Sequence, residues 1–265
     1  MHHSLEIVKQ VTYIPIKVPV KRGRFDLYQT IKEAVEEQGE EILDGDILAV
    51  SSKFIAMSEG RVIDLHSVKP CAEAVRLSAA ARIPSSLAEL ILREADRIYS
   101  TSPGFVLAIK HGMVVPNAGI DRSNVEPGAA ILYPRDPVAS AERLRLQILV
   151  DLGKRVGVVV TDSRLMPTRI GTTGVAVAVA GFEAVSDERG KMDLFGNVMR
   201  VTRRALADDI SAGANLLMGE TSESIPVVIV RGSGLTIIDR AVEREDLVTE
   251  SEECIFIRCL SQHKQ

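Results

Sequence analysis

Tryptophan is missing from this 265-residue sequence and aromatic side chains make up only 4% of it, so the stacked aromatic platforms that hold single-stranded nucleic acids are not expected. Cysteine is scarce as well. Cys71, Cys254 and Cys259 are odd in number and lack metal-ligand spacing, which argues against a disulfide framework or a thiolate zinc site and fits a reducing cytoplasm. Excess basic charge is also missing. Lys plus Arg number 32 against 36 Asp plus Glu, a formal charge of -4, leaving no field to hold a nucleic-acid backbone or an anionic membrane surface. Long apolar runs are missing too. The start, MHHSLEIVKQV, has no signal-peptide segment, and GVAVAVAGF at 174–182 is too short to span a bilayer. Neither GxxxxGKS nor GxGxxG occurs, so a P-loop enzyme and a Rossmann dinucleotide enzyme find no support. These absences predict a cytoplasmic globular protein without nucleic-acid or membrane partners.

What is present is enough apolar material, 46% of the chain, to bury one large core or two small intertwined ones. The patterning alternates strands and helices and predicts a mixed α/β fold without repeats or flexible linkers. A strand is expected over 5–16 and a helix over about 26–38 with Asp26 as N-cap. DGDILAVSSKFIAMSEGRVI reads as a turn, a buried strand, a polar break at Ser51 and Ser52, and a second strand around Glu59 and Gly60. Helices are expected near 72–81 and after Pro84, then a pair of strands with turns at Pro103-Gly104 and His111-Gly112. DPVASAERLRLQILVDLG has helix start and stop chemistry at Asp136, Pro137 and Gly153. RVGVVVTD is a strand buried on both faces and ending at Thr161 and Asp162. A helix over 203–218 stops at Gly219, and IPVVIVRG is one more buried strand.

Three acids end apolar elements: Asp121 in VVPNAGIDRSNV, Asp162 after the buried strand, and Glu220 after Gly219. Their neighbours are Asn124, Thr161 with Ser163, and Thr221 with Ser222. Each acid alone reads more readily as an Asx-turn or cap. Should they converge, carboxylates and hydroxyls without His or Cys are hard donors that favour magnesium or manganese over zinc, and such ions complete their shells with substrate phosphates. Lys53 beside Ser51 and Ser52 is either a phosphate-binding point charge or a solvated lysine. Arg164 and Arg169 flank Pro167 and could clamp an anionic substrate or simply be solvated. RIGTTGVAVAVAG at 169–181 reads as a tightly packed element or as a phosphate contact.

NAGIDRSNVEPG, DPVASAERLR, GKRVGVVVTDS, MDLFGNVMRVTRRALADDISAGANLLMGE and IPVVIVRG, in that order, resemble the coenzyme F-420-0:L-glutamate ligase (gamma-glutamyl ligase) family. The resemblance spans nearly the whole chain. It implies an intertwined homodimer of two interleaved α/β parts. It also implies a GTP-dependent ligase joining L-glutamate to the carboxylate of a phospholactyl deazaflavin, with two magnesium or manganese ions and potassium as activator. By position, Asp121 and Asp162 would hold one metal and Ser163, where the family generally has Thr, would join Glu220 around the other. Asn124 would contact the nucleotide. Its pocket would be lined by Val18, Pro19, Val20 and Lys21, by Ser51, Ser52 and Lys53, and by Met218, Gly219, Glu220, Thr221 and Ser222. Lys53 and Arg169 are the expected catalytic cations. The chain departs from the family's TDTxGRxxRxG at Leu165 and Met166, and a family lysine is Met57 here. These departures imply, as alternatives, another carboxylate acceptor or amino acid, or a nucleotide-binding protein that has lost ligation.

Overall fold

The computed structural model describes residues 10–250 and 252–261. In chain order the helices are α1 Leu27–Glu37, α2 Ser52–Ser58, α3 Ala72–Ala81, α4 Ser85–Glu94, α5 Pro137–Leu152, α6 Leu206–Met218 and α7 Ile255–Ser261. The strands are β1 Thr12–Ile16, β2 Ile47–Ser51, β3 Val62–Asp64, β4 Arg97–Ser102, β5 Phe105–Lys110, β6 Met113–Pro116 and β7 Ala129–Ile131. They continue as β8 Gly157–Leu165, β9 Thr172–Ala180, β10 Ser186–Asp187, β11 Arg203–Arg204 and β12 Val227–Arg231. The fold is mixed α/β, and the chain divides into two units. The first comprises 1–20, 26–51 and 136–246, the second 21–25, 52–135 and 247–265.

The first unit is built on a five-stranded sheet in the order β1-β12-β2-β8-β9, in which β2 and β8 run parallel and every other pair is antiparallel. Its central strands, Ile47–Val50, Val158–Val160 and Val227–Val230, are fully buried. This is why their sequences are unbroken apolar runs rather than alternating ones. Helix α1 starts where Asp26 accepts the Gln29 amide at 2.8 Å and buries Tyr28, Ile31, Ala34 and Val35 along one stripe. Helix α5 opens with Asp136 accepting the Ala139 amide at 2.9 Å and Pro137 in its first turn, and closes on left-handed Gly153.

The second unit carries the antiparallel sheet β4-β5-β6 and the pair β3-β7. Its own core joins Leu87, Leu90 and Ile91 of α4 to Val106, Ala108, Ile120, Ala130 and Leu132.

Several sequence expectations need correction. The polar break at Ser51 and Ser52 is the junction where β2 ends and α2 starts, because Ser52, Phe54, Ile55, Ala56 and Ser58 are buried along a helix; the following strand starts at Val62 rather than near Glu59 and Gly60. The two turns at 103–104 and 111–112 separate three strands, not a pair. Strand β8 does not end at Thr161 and Asp162 but continues to Leu165, paired with β9 through a register shift between Val160 and Thr161. RIGTTGVAVAVAG is mostly β9. Helix α6 begins at Leu206 rather than 203, since Arg203 and Arg204 pair with Asp187 and Ser186. The expected first strand is observed from Thr12; its part over 5–9 lies outside the described residues.

Candidate functional site

Strand register alone gathers most of the predicted pocket of the first unit at one end of its sheet. Ile16 lies opposite Val227, and Val227 opposite Val50, so β1 and β2 finish where β12 begins. Ser51, the last residue of β2, lies beside Thr161 of β8 and donates its amide to the Pro226 carbonyl at 2.9 Å. Beyond β1, the Val18 amide donates to the Ser224 carbonyl at 3.0 Å and its carbonyl accepts the Ser224 hydroxyl at 2.7 Å. Val18, at the start of the Val18–Val20 turn, is thereby tied to Ser224, two residues beyond the Met218–Ser222 stretch. Within that loop, Glu223 accepts the Thr221 amide at 2.8 Å and its hydroxyl at 3.0 Å. Gly219, with φ at +67°, takes a backbone conformation that residues with a side chain rarely adopt.

The pleat of β8 separates its polar residues. Ser163 pairs with Gly174 of β9, over which α6 packs so closely that a Cβ would lie 2.2 Å from the Ser211 carbonyl oxygen. On this side the Ser163 hydroxyl donates to Glu220, which also accepts the Thr172 hydroxyl at 2.9 Å and the Asn215 amide group at 3.3 Å. Asp162 and Arg164 share the opposite face, two residues apart, with Arg164 Nε donating to Asp162 Oδ2 at 3.1 Å. Thr161 Oγ1 is buried and lacks a hydrogen-bond partner, an arrangement that costs about 1–3 kcal/mol unless something meets it. Arg169 is exposed in the turn after β8, where its amide donates to the Met166 carbonyl at 3.2 Å.

In the second unit, Asp121 is anchored to β7 by paired backbone bonds with Ile131, at 3.0 and 2.8 Å. Gly119, with φ at +75°, lets this segment pass the Tyr133 ring, which a Cβ would approach to 2.3 Å. The Asp121 carboxylate accepts the Ser123 amide at 2.7 Å and its hydroxyl at 2.8 Å, and lies 2.5 Å from Lys53 Nζ. Burial pushes this carboxyl up, but Lys53 and Ser123 outweigh burial and hold it below the ordinary carboxylate value. Lys53 is therefore an ion-paired cation that also donates to the Ser123 hydroxyl at 2.8 Å, not a solvated one. Asn124 takes the left-handed conformation, φ 54°, Ser52 is buried at the start of α2, and Lys21 belongs to the same unit.

Within each unit, no cluster of three or more His, Cys, Asp or Glu side chains forms a ready-made metal cage among the described residues. The donors present are carboxylates and hydroxyls, which suit hard cations with water and phosphate oxygens completing the shell. Sequence reasoning missed Ser123, Thr172, Asn215 and Glu223. Ser123 could have been found from its spacing two residues after Asp121 in an Asx-turn, and Asn215 and Thr172 from the motifs that contain them. Glu223 carries no sequence signal of its own.

Comparison with known proteins bears on the same stretches. Residues 15–232 match the model of a family described as F420-0:Gamma-glutamyl ligase. A protein of Archaeoglobus fulgidus named coenzyme F420:L-glutamate ligase is 37% identical over 254 residues, covering 96% of this chain and 99% of the relative. Proteins of the same name from Methanothermobacter thermautotrophicus and Methanocaldococcus jannaschii are 39% and 36% identical, covering 81% and 94% of this chain and 86% and 97% of their own lengths.

Proposed function

Because this chain belongs to the F420-0:gamma-glutamyl ligase family, we propose that it is a GTP-dependent ligase joining L-glutamate to the carboxylate of coenzyme F420-0, a phospholactyl deazaflavin, through an acyl phosphate. The observation that carries the reading is the gathering of Val18, Ser51, Thr161 to Ser163 and the loop from Glu220 to Ser224 at one end of the sheet, within the matched stretch.

An amide does not form from a free carboxylate at neutral pH, so the carboxylate oxygen first takes the γ-phosphoryl group and GDP leaves. The glutamate amine then attacks the acyl carbon, loses a proton, and releases phosphate that carries the former carboxylate oxygen. The protein's task is to hold three anions together, which is a matter of positioning and charge compensation. Ser51, the Val18–Val20 turn and the 218–222 loop present backbone and hydroxyl donors suited to a nucleotide, with Lys21 and Ser52 next to them in sequence; Asn124, three residues after Asp121, is the further proposed nucleotide contact. Arg169, unshielded in its turn, suits an anionic acceptor. Lys53 acts through Asp121, whose carboxylate it keeps ionised.

Asp162 with Asp121, and Ser163 with Glu220, would hold two magnesium or manganese ions, with potassium as an activating ion. The pleat that sends Asp162 and Ser163 to opposite faces supports two donor groups rather than one. Such ions supply neutralisation of phosphate charge. A homodimer belongs to the same reading, and the exposed apolar side chains Met192, Leu194, Phe195 and Val201 in the segment between β10 and β11 are a surface suited to a second copy.

The test is incubation of the protein with F420-0, L-glutamate, GTP and manganese. The expected products are GDP, phosphate and a deazaflavin heavier by one glutamyl residue; GTP turnover that is indifferent to glutamate sinks the reading. A second reading, the same chemistry on a more apolar carboxylate, is favoured by the exposure of Leu165, Met166 and Ile170 around Arg169. Mass spectrometry of amides formed in a metabolite extract separates the two.

A further inference from the structure

We propose that Arg164 is a positioning residue for the ligation reaction: its buried guanidinium fixes the carboxylate plane of Asp162, so that a functional acid within β8 is presented in one orientation. The inference rests on the ligase reading above for its consequence in turnover, and on geometry for the contact itself.

The side chains of Arg164 and Asp162 are 8% and 23% exposed, with Nε 3.1 Å from Oδ2. They stand two residues apart on one face of β8, immediately after the register shift between Val160 and Thr161. A bulge of this kind turns the strand and re-aims the side chains that follow. An arginine so withdrawn from water needs carboxylate partners, because desolvating the cation is costly. Asp208, in the first turn of α6, is a second acid whose charge Arg164 feels. Asp208 is itself fixed, accepting the Ala176 amide at 2.8 Å directly across from Thr161. A lysine would keep the charge but not the planar fork that constrains the acceptor. Past Arg164 the strand gives way to exposed Leu165 and Met166, so this guanidinium is the last buried anchor before the turn.

The experiment compares wild type, Arg164→Gln and Arg164→Lys, with Arg145→Gln as a control. Arg145 is a similarly buried arginine paired with Glu142 on α5, away from the gathered strand ends. Manganese binding is measured by calorimetry without substrates, and kcat and KM for GTP in the full reaction. Partners that orient a metal-binding side chain are typically worth roughly 10–100-fold in affinity or activity. Arg164→Gln is expected to lose affinity for manganese and kcat on that order with KM for GTP little changed, and Arg164→Lys to recover only part. Arg145→Gln is expected to melt lower yet bind manganese as wild type does. Should Arg164→Gln fail to fold, weakened manganese binding in Arg164→Lys carries the same conclusion. Wild-type manganese affinity and kcat in a folded Arg164 variant, or no manganese binding by the wild type, overturns the proposal. A wild type that binds manganese but forms no amide would sink the ligase reading, while the calorimetry still decides the role of Arg164.

Discussion

Lys53 and Asp121 belong to one charge pair, and each explains the other's behaviour. Their side chains are 25% and 43% exposed, so the pair contributes only about 0–1 kcal/mol to stability; its effect on titration is more telling. The folded pKa of Asp121 is depressed, so its contribution is present above the unfolded value near 3.8 and is lost as pH falls through the folded value. Lys53→Met should raise the Asp121 pKa and move the acid-induced loss of stability to higher pH, read by carboxyl NMR across an acid titration. An unmoved Asp121 resonance would contradict the pairing. In the first unit, Asp162→Asn removes an anionic donor and leaves the buried Arg164 short of a carboxylate partner. Turnover should vanish, because the lost charge acts in the reaction, while the protein still melts cooperatively at a midpoint below that of wild type.

Helix α6 lies so close to the sheet that two glycines mark the approach. A Cβ at Gly174 would meet the Ser211 carbonyl oxygen at 2.2 Å, and one at Gly213 would meet the Tyr13 hydroxyl at 2.4 Å and its ring at 2.5 Å. Either Gly→Ala change should cost about 1–3 kcal/mol, as overpacking does, measured by chemical denaturation, and an unchanged midpoint would refute the close approach. Asp136→Ala should cost about 0.5–2 kcal/mol by removing the cap of α5, visible in the same assay. These elements also show what was legible in the sequence. Helices α1, α4 and α5 and the apolar strands announced themselves because caps and periodicity are local. Helix α2 did not, since SSKFIAMS interleaves hydroxyls with apolar residues and its burial is set by tertiary packing. The extension of β8 through Asp162 and Arg164 was hidden for the same reason: polar residues there are held by β9 and by each other. Of the site, the acids were visible as breaks in apolar runs. Their supporting partners Thr172, Asn215 and Ser123 came into view only once distant segments were paired.

At the scale of the molecule, the second unit is largely one continuous insertion, 52–135, carried between two segments of the first. Its core closes on itself through α4, β5 and β7, so an excised 52–135 fragment is expected to show helical circular dichroism and a cooperative melt. A non-cooperative melt would mean that this core depends on the rest of the chain. Asp121, Asn124 and Lys53 lie in the second unit, and Ser51, Asp162, Ser163, Glu220 and Arg169 in the first. Tracing oxygen from the acceptor tests the proposed activation of the carboxylate most directly. With F420-0 labelled by oxygen-18 in the carboxylate that receives glutamate, GTP, manganese and L-glutamate should yield the amide together with inorganic phosphate bearing one labelled oxygen. Unlabelled phosphate, or label retained wholly in the deazaflavin, would contradict activation of the carboxylate by phosphoryl transfer.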